Sequence, residues 1–367
     1  MTKPNTVPQL EYFRELFNEI DAAKKYSKKK SINEPIKISR IIYGSDYYFI
    51  PRSIIDYIEK TIVITYKWRF IIGEKRREYT VHIGLRSEDD DKAFLCVRAI
   101  YSWLLVADKY AYCDCSQKME IYIYMTDLLK ELPKHSGQIL GPENVNTAFT
   151  TSCKEKTEIH LFREEEWFKV LIHETIHNLG LDFSAASQKK SQELMSRIFC
   201  IKTEFLLHES YTETLAEIIA IIYSKTPKWS VFRAQIAREQ KFSITQCCKV
   251  LNYMGLSYKA LSCNDMGSNA VLLRKKYREN SAVFSYYIVK SILLFYIDEF
   301  AEWCAEHNEN TLRFCSGSKT QNAIVSFCDF IKKYHMGAEF LKEIEETEKQ
   351  LSRKSIQRNY TSLRMQS

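Results

Sequence analysis

Residues 164–183 read EEEWFKVLIHETIHNLGLDF. Trp167, Phe168, Val170, Leu171, Ile172, Ile176 and Leu179 cover nearly the whole circumference of a helix, which predicts burial on all sides. Glu164, Glu165 and Glu166 suit the positive N-terminal end of that helix, and Gly180 suits its C-terminal stop. His173, Glu174 and His177 interrupt the apolar surface, and burying such groups is costly unless something pairs with them. Histidines four residues apart project from one helix face, one turn apart. That spacing lets two imidazole nitrogens reach a single tetrahedral zinc ion at about 2.0–2.1 Å. Glu174, turned beside them, can hold a water next to the cation and take its proton. Core histidines satisfied by ordinary hydrogen bonds are the plain alternative, but they do not explain ligand spacing on a buried helix.

Outward from the helix, the order of elements is a mixed β/α half followed by a helical half. KTIVITYKWRFII and REYTVHIGLR are β-rich runs flanking Gly73-Glu74-Lys75-Arg76, which predicts a hairpin. Asp89 to Asp91 mark the start of a helix whose body, KAFLCVRAIYSWLLVADKY, carries apolar residues at helical spacing. MEIYIYMT reads as a further strand, and NVNTAFTTS and EIHLF are two short β candidates directly before the histidine helix. Beyond residue 185 only helical patterns occur. The expected organisation is a peripheral segment at 1–59, a β/α subdomain at 60–183, a helical subdomain at 184–340 and a charged tail at 341–367.

Ten glycines and seven prolines in 367 residues favour long helices over a loop-rich sandwich. The net charge of +7 is modest, and its clusters, Lys24 to Lys30 and Lys75-Arg76-Arg77, read as solvated loops. An odd count of eleven cysteines and no apolar N-terminal core favour an intracellular, reducing compartment with free thiols. Cys113-Asp114-Cys115 and Cys247-Cys248 lack the spacing of a zinc ribbon and are expected to be buried thiols. AVFSYYIVKSILLFYIDEF is interrupted by Lys290 and reads as a core helix, not a membrane span. Lys290 itself is expected to snorkel to the surface.

The His173-Glu174-x-x-His177 motif resembles that of the HExxH zinc metallopeptidases, the zincins. In that family a mixed sheet lies over the active-site helix and its edge strand pairs with substrate. The resemblance therefore implies an α+β zincin-like fold with a mostly helical second part, and places Asn146 and Ala148 on the substrate-binding strand, since Asn146-Thr147-Ala148-Phe149 is similar to the edge strand of thermolysin-like members. HETIHNLGLDFS also looks like metalloproteases encoded by large DNA viruses.

A catalytic zinc site keeps three protein ligands and one open position. In one zincin branch the third ligand would fall at Phe183, which cannot serve; Asp182, one residue early, is expected to cap or brace the helix end. The gluzincin branch uses a glutamate on a second helix, with an acidic residue four positions later bracing a ligand histidine. Glu209, Glu213 and Glu217 in HESYTETLAEIIAIIY lie on one helix face at that spacing. Three carboxylates in a semi-buried stripe repel one another unless a cation is near. The favoured assignment makes Glu213 the ligand and Glu217 the brace of a ligand histidine; the alternative pair is Glu209 and Glu213. His208, Tyr211, Tyr277, Tyr286 and Tyr287 are candidates for stabilising an oxyanion.

The resulting expectation is a zinc metallopeptidase, with Glu174 as general base acting on a peptide or protein substrate. An inactive zinc-binding scaffold and a nucleic-acid-associated protein working through its lysine clusters are the alternatives.

Overall fold

The computed structural model describes residues 9–112, 114–135, 137–224, 228–263, 272, 274–353 and 361–367. In the first half the chain runs through α1 (Arg14–Lys29), β1 (Ile36–Ile38), α2 (Arg52–Thr61), β2 (Ile64–Ile72) and β3 (Arg77–Leu85). It continues through α3 (Asp90–Tyr110), β4 (Lys118–Tyr124), the single turn α4 (Pro142–Val145), β5 (Ala148–Thr150) and β6 (Lys156–Leu161). The strands form one mixed sheet in the order β1-β2-β3-β4-β6-β5. Strands β3, β4 and β6 run parallel at its centre, and β1, β2 and β5 are antiparallel to their neighbours. The short β5 is the outermost strand on the side that faces the histidine helix.

Period-two alternation assigns each strand residue to a face. In β4, Ile121 and Ile123 enter the main core, whereas Tyr122 and Tyr124 join a smaller one with Ile54, Ile55 and Ile58 of α2. Asp89 starts α3 as expected, its side chain accepting from the Lys92 amide. The hairpin between β2 and β3 turns at Gly73, where φ is +76° and any Cβ would strike the Asp108 carboxylate. Only glycine fits there. Asp108 is held by Arg77, which is fully buried and also donates to the carbonyls of Tyr112 and Cys115. Arg77 is therefore a paired core residue and not part of a solvated turn.

The second half contains α5 (Trp167–Asn178), α6 (Lys189–Ile198), α7 (Leu207–Tyr223), α8 (Trp229–Tyr253), a π-helical turn (Phe284–Val289) running into α9 (Lys290–Phe295), α10 (Ile297–His307), α11 (Thr320–Tyr334) and α12 (Ala338–Arg353). Apart from isolated bridges, no strand occurs beyond residue 185 among the described residues. Two segments expected at the periphery belong to the body of the protein. Leu16, Phe17 and Ile20 of α1 are buried, and β1 extends the sheet below residue 60. The supposed tail, 341–367, carries most of α12, with Ile344 buried, and the segment 361–367, in which Leu363 and Met365 are buried. Charge content misleads at both ends, because an amphipathic helix needs only one apolar stripe to dock.

Cys247 and Cys248 are buried free thiols as expected. Cys115 instead forms a disulfide with Cys153, and Cys200 pairs with Cys263. Two such bridges weigh against a reducing compartment. Cys113 lies outside the described residues. No described helix is long and apolar enough to cross a membrane.

Candidate metal centre

Helix α5 packs between the sheet and α7, and every residue from Lys169 to Asn178 is buried. It ends in a Schellman turn: the Leu181 amide donates to Ile176 O and the Gly180 amide to His177 O, with Gly180 at φ +66°. This reversal carries Asp182 back along the helix, where its Oδ2 lies 2.6 Å from His177 Nδ1. On the neighbouring helix α7, Glu213 Oε2 lies 3.0 Å from His173 Nδ1. Each imidazole thus presents Nδ1–H to a buried carboxylate. That arrangement fixes the tautomer and leaves Nε2 with its lone pair outward, as histidine ligands of metals are normally held.

The two Nε2 atoms are 3.0 Å apart. Glu209 Oε2, one turn before Glu213 on α7, lies 3.2 Å from His173 Nε2 and 3.4 Å from His177 Nε2. Three atoms of ligand type therefore converge in a triangle. Ligands at about 2.0–2.1 Å from a tetrahedral ion stand roughly 3.3 Å from one another, so the triangle has the size a zinc ion requires. Among the described residues this is the group of His, Cys, Asp and Glu side chains close enough to share a metal ion.

The local field favours positive charge. Burial opposes protonation of His173 and His177, but the carboxylates of Glu209 and Glu213, and of Asp182 and Glu209, outweigh it and raise both pKa values. Burial likewise works against the Glu209 carboxylate, yet the two histidines hold it well below the usual range. A cation placed among these atoms meets the same attraction. The glutamate on α7 that faces both Nε2 atoms is Glu209. Glu213 contacts the far nitrogen of His173 and takes the bracing role expected of Glu217.

Glu213 is itself held from below. Lys169 Nζ, one turn before His173 on α5, lies 2.5 Å from Glu213 Oε1, and Lys290 Nζ lies 3.6 Å from the same oxygen. Lys290 is buried, not snorkelling, and lies 3.4 Å from Glu217 Oε2. Glu217 is fully buried and makes no contact with either histidine. Burial pushes its carboxyl up to about 8, against the pull of Lys290 and Lys169. Because the folded protein holds this proton more tightly than the unfolded chain, unfolding releases it between about 4.5 and about 8. Glu217 therefore costs stability as pH rises through that window, by at most about 1.4 kcal/mol per pH unit. Glu217→Gln should flatten this part of the melting-temperature profile and leave metal affinity unchanged. A metal loss in that variant would return Glu217 to the site.

Glu174 lies beside the triangle in a cavity it shares with His173, Lys169, Asn146, Thr147, Ala148, Tyr286 and Met365. Burial raises its carboxyl pKa, and the two histidines pull it back. Asn146 and Ala148 are thus at the cavity, on and just before the outer strand β5. The π-helical turn brings the Tyr286 hydroxyl to 3.0 Å from Glu209 Oε2. Extra-wide helical turns of this kind recur at functional sites. Of the other candidates, His208 Nε2 lies 3.5 Å from Glu209 Oε1. Tyr287 donates to Leu363 O and Tyr277 to Glu279, both away from the triangle. Tyr211 is wholly buried among Phe183, Phe314 and Phe327. His82 and His160 stack with Tyr122 on the opposite sheet face.

No protein-family model matches the chain, and neither does any solved structure. It is similar to "Uncharacterized protein R210" of Acanthamoeba polyphaga mimivirus, with 27% identity over 222 residues. The match covers 57% of this chain and 53% of that protein, so the chain spans about half the length of its relative.

Proposed function

We propose that the protein is a zinc-dependent metallopeptidase whose ion is held by His173, His177 and Glu209. The observation that carries this reading is the convergence of three atoms of ligand type within 3.0–3.4 Å, each histidine being oriented by a carboxylate on its other nitrogen. Three ligands leave a fourth position open, which distinguishes a catalytic site from a closed structural one. When bound, zinc would supply a Lewis acid and lower the pKa of water at that position.

The chain's own residues supply the rest. Glu174, the acidic residue of the cavity that neither binds nor braces a ligand, would accept a proton from the attacking water. It would then return that proton to the leaving amine nitrogen. The outer strand β5 offers backbone groups along which an extended peptide can lie, with Asn146 and Ala148 at the cavity. Tyr286, whose hydroxyl donates to Glu209 Oε2, would turn that hydrogen to the oxyanion as the carbonyl carbon becomes tetrahedral. The lysine clusters do not converge on this cavity, and the nucleic-acid reading gains nothing from them. A reading as an inactive scaffold leaves the placement of Glu174 without a purpose.

Purified protein should contain about one zinc per chain, and removing it with a chelator should stop peptide hydrolysis. Elemental analysis finding no metal in protein never exposed to chelator would remove the proposal.

A further inference from the structure

The cavity that holds Glu174 has one wall from a distant part of the sequence. The segment Thr361–Ser367 lies in an extended groove, with Leu363 and Met365 buried and Arg364 exposed between them. Its polar backbone groups are captured one after another. Thr361 O accepts from the Leu132 amide and the Leu363 amide donates to Lys130 O, as in an added antiparallel strand. Lys249 Nζ donates to Ser362 O, Tyr287 to Leu363 O and Lys290 Nζ to Met365 O. The amides of Met365 and Gln366 both donate to Glu166 Oε1, and the Ser367 amide to Glu239.

This is how a protein holds a peptide ligand: main-chain hydrogen bonds give affinity and alternate side chains fill pockets. Two further observations tie the groove to the site. Met365 lines the same cavity as His173, Glu174, Asn146 and Ala148. Lys290, which grips Met365 O at 2.7 Å, also approaches Glu213, the carboxylate that braces His173. The receiving residue Glu166 is held at φ +59°, a conformation unfavourable for a side chain with a Cβ. Its contacts with Lys130 and the segment's two amides compensate for that.

We infer that Thr361–Ser367 is an intramolecular peptide that occupies part of the substrate cleft, with Met365 closing the Glu174 cavity, and that it must leave before a protein substrate can enter. The inference rests on the peptidase reading for the identity of the cleft, but not for the groove and its occupant. The full chain carrying Leu363→Asp and Met365→Asp frees the groove, because two charges cannot remain in apolar pockets. A fluorescent heptapeptide, TSLRMQS, should bind this variant at least about tenfold more tightly than it binds the unaltered chain, whose groove is filled. The variant should also lose zinc to a chelator faster and cleave an unstructured peptide faster, and added heptapeptide should reverse both effects. Met365→Ala keeps Leu363 anchored and should show the same changes in smaller measure, which keeps the test open if the double variant does not fold. Equal heptapeptide binding and equal chelation rates in the folded proteins would overturn the inference. Heptapeptide binding and faster zinc release without hydrolysis of any peptide would retain the occupant and remove the peptidase reading instead.

Discussion

Glu209→Ala should release the zinc ion, leaving a folded protein without hydrolytic activity. Glu209 Oε2 is the carboxylate oxygen that meets both Nε2 atoms, at 3.2 and 3.4 Å. Removing it leaves two imidazoles, which cannot hold zinc with the affinity of three ligands. The side chain is partly accessible, and its other neighbours are Tyr286 and His208, so truncation leaves no charged group stranded in the core. Glu213→Gln should act differently. It preserves a hydrogen bond to His173 Nδ1 but removes the charge that makes the imidazole a better donor. The expected cost is on the order of 10–100-fold in zinc affinity, as for other partners that orient metal ligands. Glutamine is the informative substitution there, because alanine would leave Lys169 and Lys290 facing an empty space, a loss of about 3–5 kcal/mol in stability. Titration of the variants with a competing chelator separates the roles. A deep loss at Glu213 with Glu209 silent would restore the register first expected from the sequence.

That register shows where sequence reading stops. The histidine helix, its glycine stop, the hairpin, the order of strands and the sheet-then-helices layout follow from periodicity and turn residues, which are local signals. The spacing of Glu209, Glu213 and Glu217 is equally legible, but which member faces the histidines depends on how α7 is rotated and slid against α5. A shift of one turn, about 5.4 Å, exchanges every role in the stripe without altering the pattern. A signal did exist: Lys169 stands one turn before His173 and Lys290 lies in an apolar run. Buried lysines need acidic partners, and in the fold these are Glu213 and Glu217, which leaves Glu209 facing the two Nε2 atoms. Lys290 reads as a surface residue when its run is taken alone, because the acidic groups that pack against it come from another helix. Asp182 is a similar case. Its position one residue short of the ligand spacing makes it unusable as a zincin third ligand, yet the turn at Gly180 delivers it to the far nitrogen of His177. Such long-range pairings are set by packing, and so are the Cys115–Cys153 bridge and the docking of Thr361–Ser367.

Glu174→Gln should abolish peptide hydrolysis while leaving zinc content and melting temperature close to those of the unaltered protein. The substitution is nearly isosteric and removes one ionisable oxygen from a group that is buried and lines the cavity. Catalysis loses its proton acceptor, and an amide cannot take a proton from water or deliver one to the leaving nitrogen. General-base loss alone accounts for about 10²–10⁴-fold in rate. The remaining activity should also lose the acidic limb of its pH dependence, since that limb reports ionisation of the base. Hydrolysis rates, zinc content and thermal melts on the same preparation decide the point. A variant that keeps its activity would take the base role from Glu174. One that loses its metal together with its activity would mean that Glu174 belongs to the coordination shell, and that the triangle of His173, His177 and Glu209 is not the complete ligand set.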